Sequence, residues 1–131
     1  MATIFTKIIQ GDIPSYKIAE DDRFYAFLDI NPLVKGHTLV IPKQETDYIF
    51  DLDDELLGDM MIFSKRLAKA IQAVVPCNRV ALMVAGLEVP HAHIHLLPIQ
   101  TEKDLLLSNP RVELTQKEFV ELTEAISKAF M

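Results

Sequence analysis

The chain contains four histidines, and three of them fall within five residues, His91-Ala92-His93-Ile94-His95. Pro90 precedes the run, and Leu96, Leu97 and Pro98 follow it. The spacing is two, and successive side chains of a strand point to opposite faces. On a strand, His91, His93 and His95 therefore share one face, and Ala92, Ile94 and Leu96 share the other. Alternate side chains on one face lie about 7 Å apart. Imidazoles so placed can hold a metal, grip an anion or attack an electrophile, because each ring nitrogen is a donor, an acceptor or a ligand according to its proton. A lone buried histidine is most often a hydrogen-bonded core residue. Three at alternate positions in an apolar run point to a functional site, and periodicity alone leaves metal ligand and nucleophile both open.

The elements that must position these residues follow from pattern. Residues 4–10 read as a short helix with Thr3 as its cap and Gly11 as its close. Residues 15–19 and 23–29 read as strands, the second with Tyr25, Phe27 and Asp29 on one face. Residues 37–41 form a third strand, which makes its first residue, His37, a candidate neighbour of the triplet. Residues 46–52 are a connection. From Asp53, the recurrence of Leu56, Met60, Phe63, Leu67, Ile71 and Val74 marks a long helix, which Pro76 stops. Residues 79–85 and 91–97 make two more strands joined by a short turn, residues 100–113 a loop. Thr115 and Glu118 form a capping box that opens the last helix, with Phe119, Leu122, Ile126 and Ala129 as its buried stripe. The order predicts an α+β domain on an antiparallel sheet.

At 131 residues the chain is one domain's worth, residues 1–131. A net charge of −6 argues against binding a nucleic-acid backbone. No apolar run is long enough to span a bilayer, and the first residues lack the pattern of a signal peptide. Cys77 is the only cysteine, so no intrachain disulfide forms, in keeping with a reducing, cytoplasmic setting.

Four ordered blocks carry a resemblance: Ile4-Phe5-Thr6-Lys7-Ile8-Ile9, Phe27-Leu28-Asp29-Ile30-Asn31-Pro32, Gly36-His37-Thr38-Leu39-Val40-Ile41-Pro42-Lys43, and His91-Ala92-His93-Ile94-His95-Leu96-Leu97. With them the sequence resembles the histidine triad (HIT) superfamily, in particular its branch of small nucleotide-binding hydrolases. The resemblance implies a HIT-like fold: a five-stranded antiparallel sheet with a long central helix, a short N-terminal helix and a C-terminal helix. It implies a homodimer whose sheets join, here through the fourth strand and the 53–75 helix, and a purine nucleotide as substrate, with no cofactor. His93 is then the nucleophile at the α-phosphorus of a nucleotide phosphoramidate, dinucleotide or mixed anhydride, and a nucleotidyl-histidine forms. His37, His91 and His95 are the supporting histidines, and Asp29 meets the ribose hydroxyls. Ile4, Phe5, Ile8, Phe27, Ile30 and Leu39 match the base-pocket walls, and Glu88 and Val89 lie in the segment facing the leaving group.

The sequence also departs from the family. Some members carry zinc on two N-terminal cysteines and a histidine. Thr3, Thr6 and Glu45 stand at those places here, and threonine hydroxyls do not replace thiolates, so no structural zinc is expected. Leu87 stands where many members have glutamine and Ile99 where they have arginine, and Glu88 replaces a small hydroxyl residue. These changes weaken the grip on phosphate and keep open a nucleotide-binding regulatory module with weak turnover, while the strand histidines themselves keep open a metalloenzyme with His91, His93 and His95 or His37 as ligands.

Overall fold

In the computed structural model, which describes residues 2–131, the chain opens with α1 (Ile4–Ile9). The Thr3 hydroxyl accepts the Thr6 N–H, satisfying an otherwise orphaned helix donor. Gly11 closes the turn at φ 85°, a conformation that costs glycine nothing. Three strands follow: β1 (Lys17–Glu20), β2 (Phe24–Leu28) and β3 (Thr38–Pro42). α2 (Asp54–Val74) starts on Asp53, whose carboxylate accepts the Leu56 N–H, and ends just before Val75-Pro76. β4 (Arg79–Met83), β5 (Ile94–Ile99) and α3 (Gln116–Phe130) complete the chain, the last opened by the reciprocal Thr115–Glu118 capping box.

All strand pairs are antiparallel, in the order β1-β2-β3-β5-β4. α2 carries the chain past β3 to the far edge, and β5 returns into the gap. The alternation of side chains then divides the sheet into two faces. Phe24, Ala26, Leu28, Val40, Ile94 and Leu96 pack against α2 and α3, where Met60, Leu67, Ile71 and Ile126 are fully buried. The other face is crossed by α1 at one end and met by Leu105 at the other. There Phe5 and Ile8 pack on Tyr25, Phe27, Leu39 and Ile41, while Leu33, Leu97 and Ile99 form a second apolar group further along. His95 pairs with Leu39 on the neighbouring strand, so the histidines stand between two apolar clusters on the open face.

The architecture is the predicted one: five antiparallel strands and three helices in the expected order. Most strand boundaries shift by one or two residues, and a 3-10 turn at Ile49–Asp51 lies within the expected 46–52 connection; the larger differences are these. The triplet is not one regular strand: β5 begins at Ile94, and the β4–β5 connection runs from Val84 to His93 instead of making a short turn. Pro90 offers no N–H, His91 N–H turns back to Val89 O and Ala92 N–H binds Thr46 O, so these donors are withdrawn from the sheet ladder. β5 continues through Pro98 to Ile99, because Pro98 pairs with Val80 beyond the last β3 partner, where a missing donor is tolerated. The expected 100–113 loop holds a 3-10 turn at Glu102–Leu105, capped by Thr101 and Asp104. At the end of α3, Ala129 is exposed and Phe130 is the residue that packs, with the Arg66 guanidinium over its ring.

Gly36 leads into β3 at φ 93°, and a Cβ there would stand 3.0 Å from Val75 Cγ2 and 3.1 Å from Pro98 Cγ. Both the backbone and the packing exclude a side chain. Gly36→Ala is expected to cost about 1–3 kcal/mol in denaturant unfolding, whereas Gly11→Ala, with open space around its Cβ, pays only the backbone part.

Candidate active site

The irregular approach to β5 turns His91 inward, to 0% exposure. Its Nε2 lies 2.8 Å from the Pro42 carbonyl oxygen and its Nδ1 2.8 Å from Thr3 Oγ1. Two residues on, His93 Nδ1 lies 2.8 Å from the His91 carbonyl oxygen. A carbonyl oxygen only accepts, which assigns the protons. His91 carries its proton on Nε2, and Thr3 donates to its Nδ1. His93 carries its proton on Nδ1, so the Nε2 lone pair of the neutral ring is available. Among the described residues no hydrogen-bond partner meets that Nε2.

The same reasoning fixes the second pair. The Leu33 amide donates to His37 Nδ1 at 3.1 Å, so His37 holds its proton on Nε2. That Nε2 lies 2.9 Å from His95 Nδ1, which must accept. His95 therefore keeps its proton on Nε2, as a donor beside His93, the two ring centres being 4.9 Å apart. Asp29 stands at the end of β2. One carboxylate oxygen accepts the Asn31 amide at 2.8 Å, and the other lies 3.6 Å from His37 Nε2.

Burial keeps His37, His91 and His95 neutral. It pushes His37 and His91 below the usual imidazole range. His95 falls furthest, to about 4, through burial first and then the neighbouring His37 and His93. Asp29 opposes the shift at His37, and Arg111, from the loop before α3, adds to it.

The Asp29–His37–His95 group has ligand atoms mutually within 4.8 Å, close enough for one cation. The proton assignment speaks against that use. A metal on His37 Nε2 would move the proton to Nδ1, where the Leu33 N–H already points at the ring. Two donors would then face each other, unless the ring became an imidazolate or the main-chain bond broke. A three-histidine set is blocked as well, since both nitrogens of His91 are engaged inside the protein.

The predicted site residues divide accordingly. Asp29, His37, His93 and His95 come together. Phe5, Ile8, Phe27 and Leu39 form one packed wall with Val89 against its edge, and the Phe5 ring stands edge-on to His93 with centres 5.1 Å apart. Ile4 and Ile30 lie outside that wall, exposed. Glu88 is exposed on the Val84–His93 connection. His91 sits behind the wall instead of in line with its two partners. Sequence reasoning missed Tyr25, Ile41, the Thr3 bond to His91 and the Leu33 amide. Tyr25 and Ile41 were visible as positions sharing a face with Phe27 and Leu39, whereas no sequence signal announces a main-chain donor at an imidazole.

Fold and site together define a small α+β protein with neutral, proton-assigned imidazoles on the open face of an antiparallel sheet. Comparison with known proteins places it more narrowly. Residues 10–102 match the family model described as HIT domain. The chain is 44% identical over 110 residues to the adenosine 5'-monophosphoramidase HNT1 of Saccharomyces cerevisiae, covering 81% of this chain and 68% of that protein. It is 39% identical over 132 residues to the adenosine 5'-monophosphoramidase hnt1 of Schizosaccharomyces pombe, covering 97% of each. Among solved structures, a zinc-bound histidine triad family protein from Mycobacterium smegmatis superposes with a TM-score of 0.84 at 28% identity, over 99% of this chain and 94% of that one. The chain belongs to the HIT family.

The lowered imidazoles make stability depend on pH. His95 titrates at about 4 when folded, against 6.5 for the free group. Between those values the unfolded chain binds a proton that the folded chain refuses, so stability is full above the upper value and falls as pH drops toward the lower one. His95 alone is expected to account for about 1–2 kcal/mol between roughly pH 7 and pH 5, and His37 and His91 add with the same sign. Urea midpoints measured across that range should fall with pH, and His95→Gln should flatten part of the slope. A flat profile in the native protein would contradict the neutral-imidazole assignment.

Proposed function

We propose that the chain is a HIT-type purine nucleotide hydrolase that cleaves nucleoside 5'-phosphoramidates through a nucleotidyl intermediate on His93. The observation that carries this is the opposite protonation of two adjacent rings. His93 presents a lone pair at Nε2, and His95 presents an N–H at the same level. In the proposed step His93 Nε2 attacks the α-phosphorus, a P–N(His) bond forms and the P–N bond to the amine breaks. The amine leaves with a proton drawn from solvent. His95 Nε2–H donates to a phosphoryl oxygen, stabilising the charge that develops there. Water then attacks phosphorus, releases the nucleoside monophosphate and returns neutral His93. Asp29 offers its second oxygen to the ribose hydroxyls, and the wall of Phe5, Ile8, Phe27 and Leu39 holds the base. The names of the two yeast relatives support the phosphoramidate among the substrate classes the family handles.

Two features of the Val84–His93 connection favour an amine over a polyphosphate leaving group. Leu87 is 97% exposed and offers no amide to an extra phosphate, and Glu88 adds a negative charge, though one screened by solvent. The same features motivate the second reading, a nucleotide-binding module with weak turnover. Single-turnover kinetics with adenosine 5'-phosphoramidate separates the two: a burst of amine release supports the enzyme, and tight binding without release supports the module.

The proposal includes a homodimer. β4 is a sheet edge, and Met61, Leu82, Val84, Tyr48 and Phe50 are exposed around a cavity of about 330 Å³ that reaches His93 and Ile94. An unpaired edge beside an apolar surface is the pattern of a strand-to-strand interface. Light scattering at micromolar protein is expected to give twice the chain mass of 14.8 kDa, and a monomer mass would reject this part.

The nucleophile is tested by mass spectrometry of enzyme quenched during turnover. A monophosphate adduct is expected on His93 and absent from His93→Ala, while His95→Ala still forms it about 10²–10³ more slowly. An adduct on His91 or His95, or full activity in His93→Ala, would overturn the mechanism. Asp29→Ala is expected to weaken ribonucleotides much more than their 2',3'-dideoxy analogues. Equal losses would remove Asp29 from the ribose role.

A further inference from the structure

Four polar groups meet where α1, the end of β3 and the approach to β5 converge. Glu45 accepts the Thr3 N–H at 2.8 Å and the Thr6 hydroxyl at 2.6 Å on one oxygen. The Thr3 hydroxyl accepts the Thr6 N–H at 3.1 Å and lies 2.8 Å from His91 Nδ1. The two threonine hydroxyl oxygens are themselves 3.2 Å apart. Every proton in this cluster has one consistent place. His91 Nε2–H is spent on the Pro42 carbonyl, so Nδ1 is an acceptor. Thr3 must donate to it. Thr6 must donate to Glu45, because a carboxylate accepts only. The bonds from the Thr6 hydroxyl and the Thr3 N–H hold Glu45 below the usual carboxylate range and therefore ionised.

The cluster ends one residue's main chain away from the proposed chemistry. The carbonyl of His91 is the acceptor for His93 Nδ1–H. A His91 ring that flipped or exchanged tautomers would lose its bond to the Pro42 carbonyl, one of the ties that hold the segment whose carbonyl accepts the His93 proton. We propose that Thr3 is a positioning residue for the triad: clamped by Thr6 and Glu45, its hydroxyl donates to His91 Nδ1 and, together with the Pro42 carbonyl on Nε2, keeps His91 in the Nε2–H tautomer and its carbonyl placed to hold His93 with the Nε2 lone pair exposed. This rests on the reading of His93 as the nucleophile. It assigns a task to the first histidine, which touches no substrate, and to Thr3 and Glu45, which replace metal-ligand types with a proton-ordered hydrogen-bond set.

The alternative for Thr3 is a helix cap and nothing more. The cap bond and the His91 bond use the same oxygen, so they are told apart by a residue that caps tolerably without it. Thr3→Val keeps the shape and loses both. Thr3→Ser keeps both, and Thr3→Gly retains a tolerated cap residue while losing the histidine bond. The test uses ¹⁵N-histidine-labelled protein without substrate, together with steady-state turnover of adenosine 5'-phosphoramidate. In the unsubstituted protein the His91 ring should show a protonated Nε2 and an unprotonated Nδ1. The opposite tautomer overturns the proposal without any variant.

In Thr3→Val and Thr3→Gly the two His91 nitrogens should move toward averaged shifts. kcat should fall about tenfold, the worth of one hydrogen bond to an aligned group, with KM for the phosphoramidate within twofold. Thr3→Ser should restore both readouts. A single Nε2–H tautomer retained in Thr3→Gly, or altered tautomers with unchanged kcat, overturns the proposal. If no form of the protein turns substrate over while the tautomer result stands, the functional reading fails and the structural assignment survives, so the two failures are distinguishable.

Discussion

The site depends on main-chain groups that cannot exchange donor for acceptor. An imidazole alone is ambiguous, since either nitrogen of the neutral ring can hold the proton. Here the ambiguity is removed from outside the rings. The Leu33 amide donates to His37, and the carbonyls of Pro42 and His91 accept from His91 and His93. From those three bonds every other proton in the group follows, including that of His95, which has no main-chain partner of its own on either nitrogen and inherits its tautomer from His37. Disturbing one of these backbone segments would scramble several rings at once, which is why the loop before β3 and the irregular approach to β5 matter as much as the histidines.

Those segments hold their positions because the rest of the sheet is anchored on its other face. Phe24, Ala26, Leu28, Val40, Ile94 and Leu96 interlock with α2 and α3, and most of them are essentially inaccessible. A core of that kind fixes backbone register to a fraction of an ångström. The open face can then carry polar and irregular features: the interrupted ladder at His91 and a set of mostly buried imidazoles. α1 closes this face only partly. The same Phe5 ring lines the wall and stands beside both His91 and His93, so a single short helix couples the apolar cluster to the histidines.

Much of this was legible in the sequence, and the gaps have physical causes. Periods of 2 and 3.6, the Asp53 and Thr115 caps and Pro76 gave the element order and the α+β class, because each is a local signal with a local cause. The nearness of His37 to the triplet followed from reading it at the start of a neighbouring strand; it stands one residue before β3 and meets His95. The face-sharing of His91 did not survive. Pro90 and the Thr46 carbonyl draw that residue out of the ladder, and the Thr46 contact is long-range and invisible to a period. The Glu102–Leu105 turn was missed although Thr101 and Asp104 stand three apart, a capping signal easily overlooked where no apolar period follows. The expected wall residues Ile4 and Ile30 were matched by block position. Exposure depends on how α1 and the Asp29–Leu33 turn lie on the sheet, which no block specifies.

The composition of the wall also bears on what it can distinguish. Phe5, Ile8, Phe27, Leu39 and Ile41 present only carbon to a bound ring. The one polar atom in the cluster, the Tyr25 hydroxyl, is already paired with Ser15 Oγ at 2.7 Å. A surface of this kind selects by contact area and leaves hydrogen-bonding edges unread. A purine buries more of itself than a pyrimidine, and burial is worth about 25 cal/mol per Å², so ring size is discriminated. Adenine and guanine differ at exocyclic groups that meet no fixed partner here, and discrimination between them needs a polar group whose bond the wrong base leaves unmade. Choice at the ribose and phosphate end is different in kind. There His37 and His95 have fixed protons and Asp29 already accepts the Asn31 amide on one oxygen, so in the proposed function a sugar lacking its hydroxyls would leave the other Asp29 oxygen without a hydrogen bond. In the proposed function the site would therefore read the sugar and phosphate by hydrogen bonds and the base by size, a division that follows from which clusters are apolar and which are proton-ordered.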